Sequence, residues 1–267
     1  MRIHSASSIN LYKQCPRKYY YRYIQKIPEP PSIYTVRGNI VHKVLEDFFV
    51  IDTSDITDYK KELPKKADTL LDKHWIKQRE KLKELGLSIE ELQKYYTDSR
   101  DMILHWTQRF ITKVDETAVS FIEAFNLLKP AVEAHLKNEE LGVQGFIDAL
   151  YEKEDGLHIV DYKTSRKDDI TPEYKLQAGI YAVLVHTMKN QVPKSIVFDF
   201  LKGEEKHVHV TQDLLKETLF EIEQIHVSTE STNRKDYPRK PSGLCKWKNA
   251  RGEGQCAYFD ICKPFDQ

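Results

Sequence analysis

The stretch VQGFIDALYEKEDGLHIVDYK, residues 143–163, reads as two strand arms, VQGFIDALY and LHIVDYK, joined by the polar, glycine-containing turn EKEDG. On the second arm an acid and a lysine stand two positions apart, and residues i and i+2 of a strand share a face. Asp161 and Lys163 therefore project together while Tyr162 points the other way, an arrangement that core packing does not need. Asp148 lies on the first arm, and pairing the arms around the turn brings the two carboxylates near each other. Two buried like charges raise each other's pKa unless a cation sits between them. Hard oxygen ligands on Asp148 and Asp161 suit Mg²⁺ or Mn²⁺, and Lys163 on the same face adds a positive charge that can hold a water nucleophile or a phosphate oxygen. Taken alone, the tripeptide DYK reads better as an ordinary solvated ion pair on a sheet edge. The surrounding sequence has to decide.

Outward from the hairpin, AVEAHLKN precedes it as a strand; YKLQAGIYAVLVHTM reads as a helix, KSIVFDFL and EEKHVHVT as strands, and QDLLKETLFEIEQIHVST as a closing helix. On the N-terminal side, SASSINLYKQCPRKYYYRYIQKI opens on capping serines and continues as a short helix carrying Cys15, Arg17, Lys18 and a run of tyrosines. RGNIVHKVLEDFFVI has apolar residues at 40, 41, 44, 45, 48 and 49, a helical period. From about Asp58 to Lys113 the chain is charged and amphipathic, which predicts a helical insertion over residues 50–125 decorating one domain that spans 1–267. The order of elements predicts a mixed central sheet flanked by helices, an α/β or α+β fold.

A chain of 267 residues buries enough core to need no staples. Lys plus Arg and Asp plus Glu both number 41, so the sum says nothing for a nucleic-acid partner; a basic stripe on one face would matter more. The first residues, MRIHSASSIN, lack an apolar signal region and no stretch approaches the roughly 18 apolar residues of a membrane span, so the expectation is a soluble, cytoplasmic protein. No GxxxxGK[ST] is present, and these residues hold no helicase motor.

Four short stretches together carry a resemblance: GNIVH with Gly38 and His42, GFID ending on Asp148, VDYKT with Asp161 and Lys163, and LQAGIYA with Gln177 and Tyr181 at i and i+4 of a helix. As a set they resemble the RecB-like branch of the PD-(D/E)XK nuclease superfamily. The resemblance implies a restriction-endonuclease-like core and a metal-dependent DNA exonuclease. It implies that Asp148 and Asp161 are the two motif acids, Lys163 the motif lysine that positions the attacking water, and His42 with the carbonyl of Tyr162 the rest of the metal shell. Gln177 and Tyr181 match the QxxxY element, to which it assigns positioning of the DNA strand. Ile147 stands where the superfamily name has Pro, a residue this branch commonly lacks. Read without the resemblance, His42 between Val41 and Val44 is a core histidine, and Gln177 and Tyr181 are polar residues at a helix edge. Glu46 reads as a solvated surface acid, and Glu133 as a candidate for the outer shell of the metal.

Four cysteines in a chain with no export signal are not a disulfide scaffold. Cys15 stands alone, while Cys245, Cys256 and Cys262 crowd the last stretch. CAYFDICKP resembles the C-terminal cysteine segment of Cas4 and AddB-type nucleases, with Cys15 matching their upstream cysteine. The resemblance implies a [4Fe–4S] cluster held by all four, closing residues 245–262 on Cys15 as a structural clamp. The family usually has C-x₂-C at the first C-terminal pair, whereas here KWKNARGEGQ separates Cys245 from Cys256. A glycine-containing loop of that length still closes at modest entropic cost. Zn²⁺ is the alternative occupant, although zinc sites more often show paired CxxC.

If the cysteines meet, the basic and aromatic segments CPRKYYYRYIQK and NRKDYPRKPSGLCKWKNAR lie side by side, where Arg and Lys would hold phosphates and Tyr or Trp247 would stack bases. Residue by residue, solvated charges and core tyrosines are the better reading. The partners expected are DNA, single-stranded or with free ends, and a helicase, recombinase or CRISPR-type protein. The rival readings are a Cas4-like DNA-processing subunit that acts within a larger complex and a DNA-binding module whose nuclease site has lapsed.

Overall fold

The hairpin lies at the centre of a five-stranded sheet. The structure, a computed structural model, describes residues 2–165, 168–246 and 256–264. The strands are β1 Ala131–Asn138, β2 Val143–Lys153, β3 Gly156–Lys163, β4 Ser195–Phe200 and β5 Glu205–Val208, in the spatial order β1-β2-β3-β4-β5. All pairs are antiparallel except β3 with β4. The β2–β3 turn closes on Gly156, whose φ of 131° disfavours any side chain and where a Cβ would lie 2.8 Å from Lys194 Cγ.

Before the sheet come α1 Ala6–Gln14, α2 Pro16–Tyr19, α3 Ile33–Phe48, α4 Tyr59–Lys77, α5 Arg79–Glu84, α6 Ile89–Glu116 and α7 Phe121–Leu127; α8 Pro172–Lys189 joins β3 to β4, and α9 Gln212–Ser228 follows β5. A parallel strand pair needs such a helical crossover. α8 starts where Thr171 caps it and Pro172 fills its first turn, and it stops at Asn190 in a left-handed conformation.

The two faces of the sheet bury different partners. α8 packs Leu176, Ile180 and Leu184 with Ile147, Ile159 and Phe198, and α9 lies outside it. On the other face α3, α4 and α6 bring Val41, Phe48, Leu71, Trp106 and Phe110 against Ala149 and Tyr162. Tyr162 thus belongs to one core while Asp161 and Lys163 face α8, as the two-residue period requires.

The β1–β2 ladder is interrupted at one point. Val132 pairs with Ala149 and Ala134 with Ile147, but between them Glu133 takes a φ of 48° and its pairing opposite Asp148 is lost. Packing changes sides at that kink: Ala134 and Ile147 belong to the α8 face, Val132 and Ala149 to the α3 face. The β2–β3 ladder also ends there, at Ala149 with Val160, so the strands part on either side of Asp148 and Asp161. Beside the start of β2 the N-terminal segment takes the vacated edge, His4 exchanging backbone hydrogen bonds of 2.8 Å with Gly142 and Gln144.

The first segment differs from the sequence expectation. α1 ends at Gln14 and Cys15 is extended, at φ −161° and ψ 108°, because the residue before a proline is pushed out of the helical region. Tyr19, Tyr20 and Tyr21 are buried with Tyr237 and Tyr258 in a third core, so these rings are packing groups and not a surface for stacking bases. The two basic segments do lie together: Arg17 donates to the carbonyls of Tyr237 and Arg234 at 2.7 and 3.2 Å, and Lys240 to that of Lys13 at 2.9 Å. Trp247 and Lys248 lie outside the described residues. Among the described residues no helix is long and apolar enough to cross a membrane.

Candidate active site

β3 delivers Asp161 and Lys163 side by side, with Lys163 Nζ 2.6 Å from Asp161 Oδ2. α8 holds both. Gln177 Nε2 donates to Asp161 Oδ1 at 2.8 Å while its Oε1 accepts from Lys163 Nζ at 2.8 Å. The Tyr181 hydroxyl lies 3.0 Å from Asp161 Oδ1 and 2.8 Å from the carbonyl of Phe146, and accepts from Gln177 Nε2 at 2.7 Å. Asp161 is 2% exposed; burial pushes its carboxyl up and the Lys163 ammonium opposes that. Its Oδ2 is buried with no hydrogen-bonded partner, the lysine contact being an ion pair without hydrogen-bond geometry.

Asp148 sits where β2 and β3 part. Its Oδ2 accepts the backbone N–H of Tyr162 at 2.8 Å, and its Oδ1 lies 3.0 Å from His42 Nδ1. His42 projects from α3 toward the sheet. Burial lowers its pKa, but the hydrogen bond and charge of Asp148, with the charge of Asp161, outweigh burial and hold it above the ordinary imidazole value. Glu133 completes the group: among the described residues, His42, Glu133 and Asp148 form the one set of three whose ligand atoms all lie within 4.8 Å of one another. Burial pushes the Glu133 carboxyl up, and the charges of Asp148 and Glu46 add to it. A groove of about 440 Å³ opens here, lined by Gly38, His42, Lys43 and Glu46 of α3 and by Glu133.

This donor set fits a divalent cation. Two carboxylates and one imidazole converge, while Asp161 stands outside that set of three but near enough for the charges of Asp148 and His42 to act on it, and its buried Oδ2 is left over; a hard cation resolves the conflict of like charges. The structure draws Glu133 further in than the sequence suggests, and it places Glu46, ion-paired with Lys43, on the groove wall. Gln177 and Tyr181 stand beside Asp161, Tyr181 buried and Gln177 partly so, both in hydrogen-bond contact with its Oδ1. Arg37 carried no signal in the sequence. It is buried, ion-paired with Asp98, and donates to the carbonyl of Thr164 at 3.0 Å, fixing the chain directly after Lys163.

A second constellation lies at the chain ends. Cys15, Cys245, Cys256 and Cys262, all free, line one small pocket together with Lys18, Tyr21 and Tyr258. Burial pushes the thiols of Cys256 and Cys262 up, and the neighbouring thiols push the same way.

The fold and the acid–acid–lysine site together define a nuclease, and the chain belongs to the PD-(D/E)XK nuclease superfamily, whose model matches residues 4–263. Within it, stretches of the chain are similar to one subunit of the ATP-dependent helicase/nuclease of several bacteria. The Thermoanaerobacter sp. (strain X514) protein is 34% identical over 73 residues, 25% of this chain and 6% of that one. The Moorella thermoacetica protein is 37% identical over 87 residues, 30% and 6% of the two chains. The Clostridium botulinum protein is 40% identical over 63 residues, 22% and 5%. The chain therefore spans only a small part of the length of these curated relatives. In fold it is similar to a candidate exonuclease from Eubacterium rectale, with a TM-score of 0.54 and 13% identity over 91% of this chain and 86% of that one. That likeness speaks to the mixed sheet and its flanking helices.

Proposed function

We propose that this chain is a Mg²⁺- or Mn²⁺-dependent exodeoxyribonuclease that acts on single-stranded or frayed DNA ends. The observation that carries the reading is the pairing of His42 with Asp148 where β2 and β3 part, with Asp161 close enough for its charge to act on both and with a lysine held by Asp161 and Gln177. His42, Asp148, Asp161 and the carbonyl of Tyr162 would hold the ion, with Glu133 at its edge. A divalent ion bound there supplies positive charge to the phosphodiester and acidity to water. Lys163, fixed from two sides, holds the attacking water or a phosphate oxygen and offsets the negative charge that builds on the phosphorus oxygens. Gln177 and Tyr181 keep Asp161 in one orientation. The Tyr162 N–H does the same for Asp148.

The four cysteines are read as a [4Fe–4S] site with a structural role. A tetrahedral zinc site, with Zn–S bonds of about 2.3 Å, brings its sulfurs to ~3.8 Å from one another. All four thiols line one pocket, and the likeness of the cysteine segment to cluster-bearing nucleases favours iron–sulfur over zinc. The helicase/nuclease relatives support a helicase as working partner. Its motor would lie outside these 267 residues.

The test is degradation of single-stranded, duplex and circular DNA, labelled at the 5′ or 3′ end where ends exist. The reading expects metal-dependent loss of linear single strands, slower loss of blunt duplex and survival of circles. Cutting of circles at the same rate would make the protein an endonuclease, and no cutting with either metal would end the nuclease reading.

A further inference from the structure

The sheet face that carries Glu133 and Asp148 continues past them along both strands. Two residues on, β1 presents His135 and β2 presents Phe146, directly paired across the ladder; the next pair on that face is Lys137 with Gln144. The neighbours of Phe146, Gly145 and Ile147, pack toward α8, so Phe146 points to the opposite, open side. It is 54% exposed and is the one large apolar side chain left exposed in the described strands. A phenylalanine left 54% exposed forgoes about half of its burial energy. Nothing in the fold requires that choice, since a polar residue would serve a solvated strand face.

The ring is also prearranged. The His135 imidazole lies parallel to it, with centroids 4.4 Å apart and planes at 11°, and His135 Nε2 lies 3.3 Å from Gln144 Oε1. The Phe146 main chain is approached from behind, its carbonyl 2.8 Å from the Tyr181 hydroxyl, which also lies 3.0 Å from Asp161 Oδ1. Successive rows on one strand face are about 7 Å apart, which is the reach from a phosphate to the base of its own nucleotide. Beyond the ring pair lies Lys137, whose ammonium is 2.7 Å from the exposed Glu139 carboxylate, a surface pair that a phosphate can compete for. Along the face the order is acids, aromatic stack, cation.

We propose that the His135–Phe146 stack is a platform for the nucleobase of the nucleotide adjoining the scissile phosphate. Every base has a π-face, so the contact tolerates sequence, but a base stacked and paired in a duplex has no free face to offer. The platform thereby makes an unpaired nucleotide beside the cut a requirement of the site. The inference rests on the nuclease reading of the acids one row away.

The experiment uses the full chain, wild type against Phe146→Ala and Phe146→Trp, on end-labelled single strands with an abasic residue at successive positions. The wild type should cut roughly 5- to 150-fold more slowly, by kcat/KM, when the abasic residue adjoins the scissile bond. Phe146→Ala should lose a similar factor on intact DNA and show no further loss on the abasic strand, and Phe146→Trp should recover it. Because Phe146 is exposed, an unchanged melting temperature is expected and separates this effect from unfolding. Full abasic sensitivity in Phe146→Ala, or wild-type rates on intact DNA, would overturn the platform. A second readout is independent of cleavage: quenching of 2-aminopurine in a single strand with Ca²⁺ as the cation. Phe146-dependent quenching without any cleavage sinks the nuclease reading and keeps the platform; cleavage without such quenching sinks the platform alone.

Discussion

Glu133 holds a left-handed backbone conformation, φ 48°, that costs a residue with a Cβ about 1 kcal/mol or more, and it does so opposite Asp148. The carboxylate it aims at His42 and Asp148 adds a like charge to a partly buried group. Strain and repulsion at the same residue are what a cation ligand would carry in its metal-free form. Glu133→Gln should weaken Mn²⁺ binding about tenfold by calorimetric titration while the metal-free protein melts at the same temperature or higher, because a repulsive charge has gone. Unchanged Mn²⁺ affinity would remove Glu133 from the site. At this scale the sequence was legible where geometry follows from period alone: Asp161 and Lys163 share a face because strands alternate. Glu133 was not legible in its full role, since no local signal announces a non-glycine residue with positive φ. Arg37 was not either, because its partners Asp98 and Thr164 lie 61 and 127 positions away.

Among the elements, α8 is the one that ties the site to the rest of the fold. One face supplies Gln177 and Tyr181, and the back face meets α9 so closely that a Cβ on Gly179 would lie 1.9 Å from Thr218 Oγ1. Gly179→Ala should therefore cost about 1–3 kcal/mol in urea unfolding, despite the better helix propensity of alanine. Adding Thr218→Ala should recover part of the loss; additive losses would show that the two positions do not meet. The edge strand contact of the N-terminus makes a pH prediction. Burial first, then His226 and Arg2, push His4 down to about 4, with Tyr19 stacked beside it and Thr229 and Ser8 on its ring nitrogens. The imidazole is neutral in the fold and has its ordinary pKa of 6.5 in the unfolded chain, so its contribution is complete above pH 6.5 and is lost as the pH falls toward 4. The urea midpoint of the wild type should drop across that window more than that of His4→Gln; parallel curves would contradict it. Strand and helix order were readable from periodicity and caps. The break at Cys15 follows from Pro16 and was readable too, but the kink at Glu133 with Asp148 arises only when two strands and two cores compete for the same residues.

For the whole molecule, the chain ends are joined through the tyrosine core and the cysteine pocket, with Arg17 and Lys240 bridging the same two segments. The cluster proposed there would act as a crosslink between residue 15 and residues 245–262. Cys256→Ser should abolish the visible absorbance of anaerobically purified protein and lower its melting temperature by about 5–10 °C. Colourless wild type containing stoichiometric zinc would replace the cluster with a zinc site. The gathering of the four thiols at one pocket was visible in the sequence only through a family likeness, for ten residues separate Cys245 from Cys256 where the family usually has two. The burial of the tyrosines was open until their packing against Tyr237 and Tyr258 was seen, because a run of tyrosines in a basic segment suits a core and a DNA surface equally.

The central claim is that Asp161 and Lys163 share a strand face because both serve one hydrolytic site. It is tested most directly by following an end-labelled single strand with Mg²⁺ or Mn²⁺ and comparing the wild type with Lys163→Ala. The wild type should degrade the strand only with metal, and the variant should lose at least about a hundredfold in rate while still binding DNA. Equal rates in the two proteins, or cutting by the wild type in EDTA, would contradict the assignment.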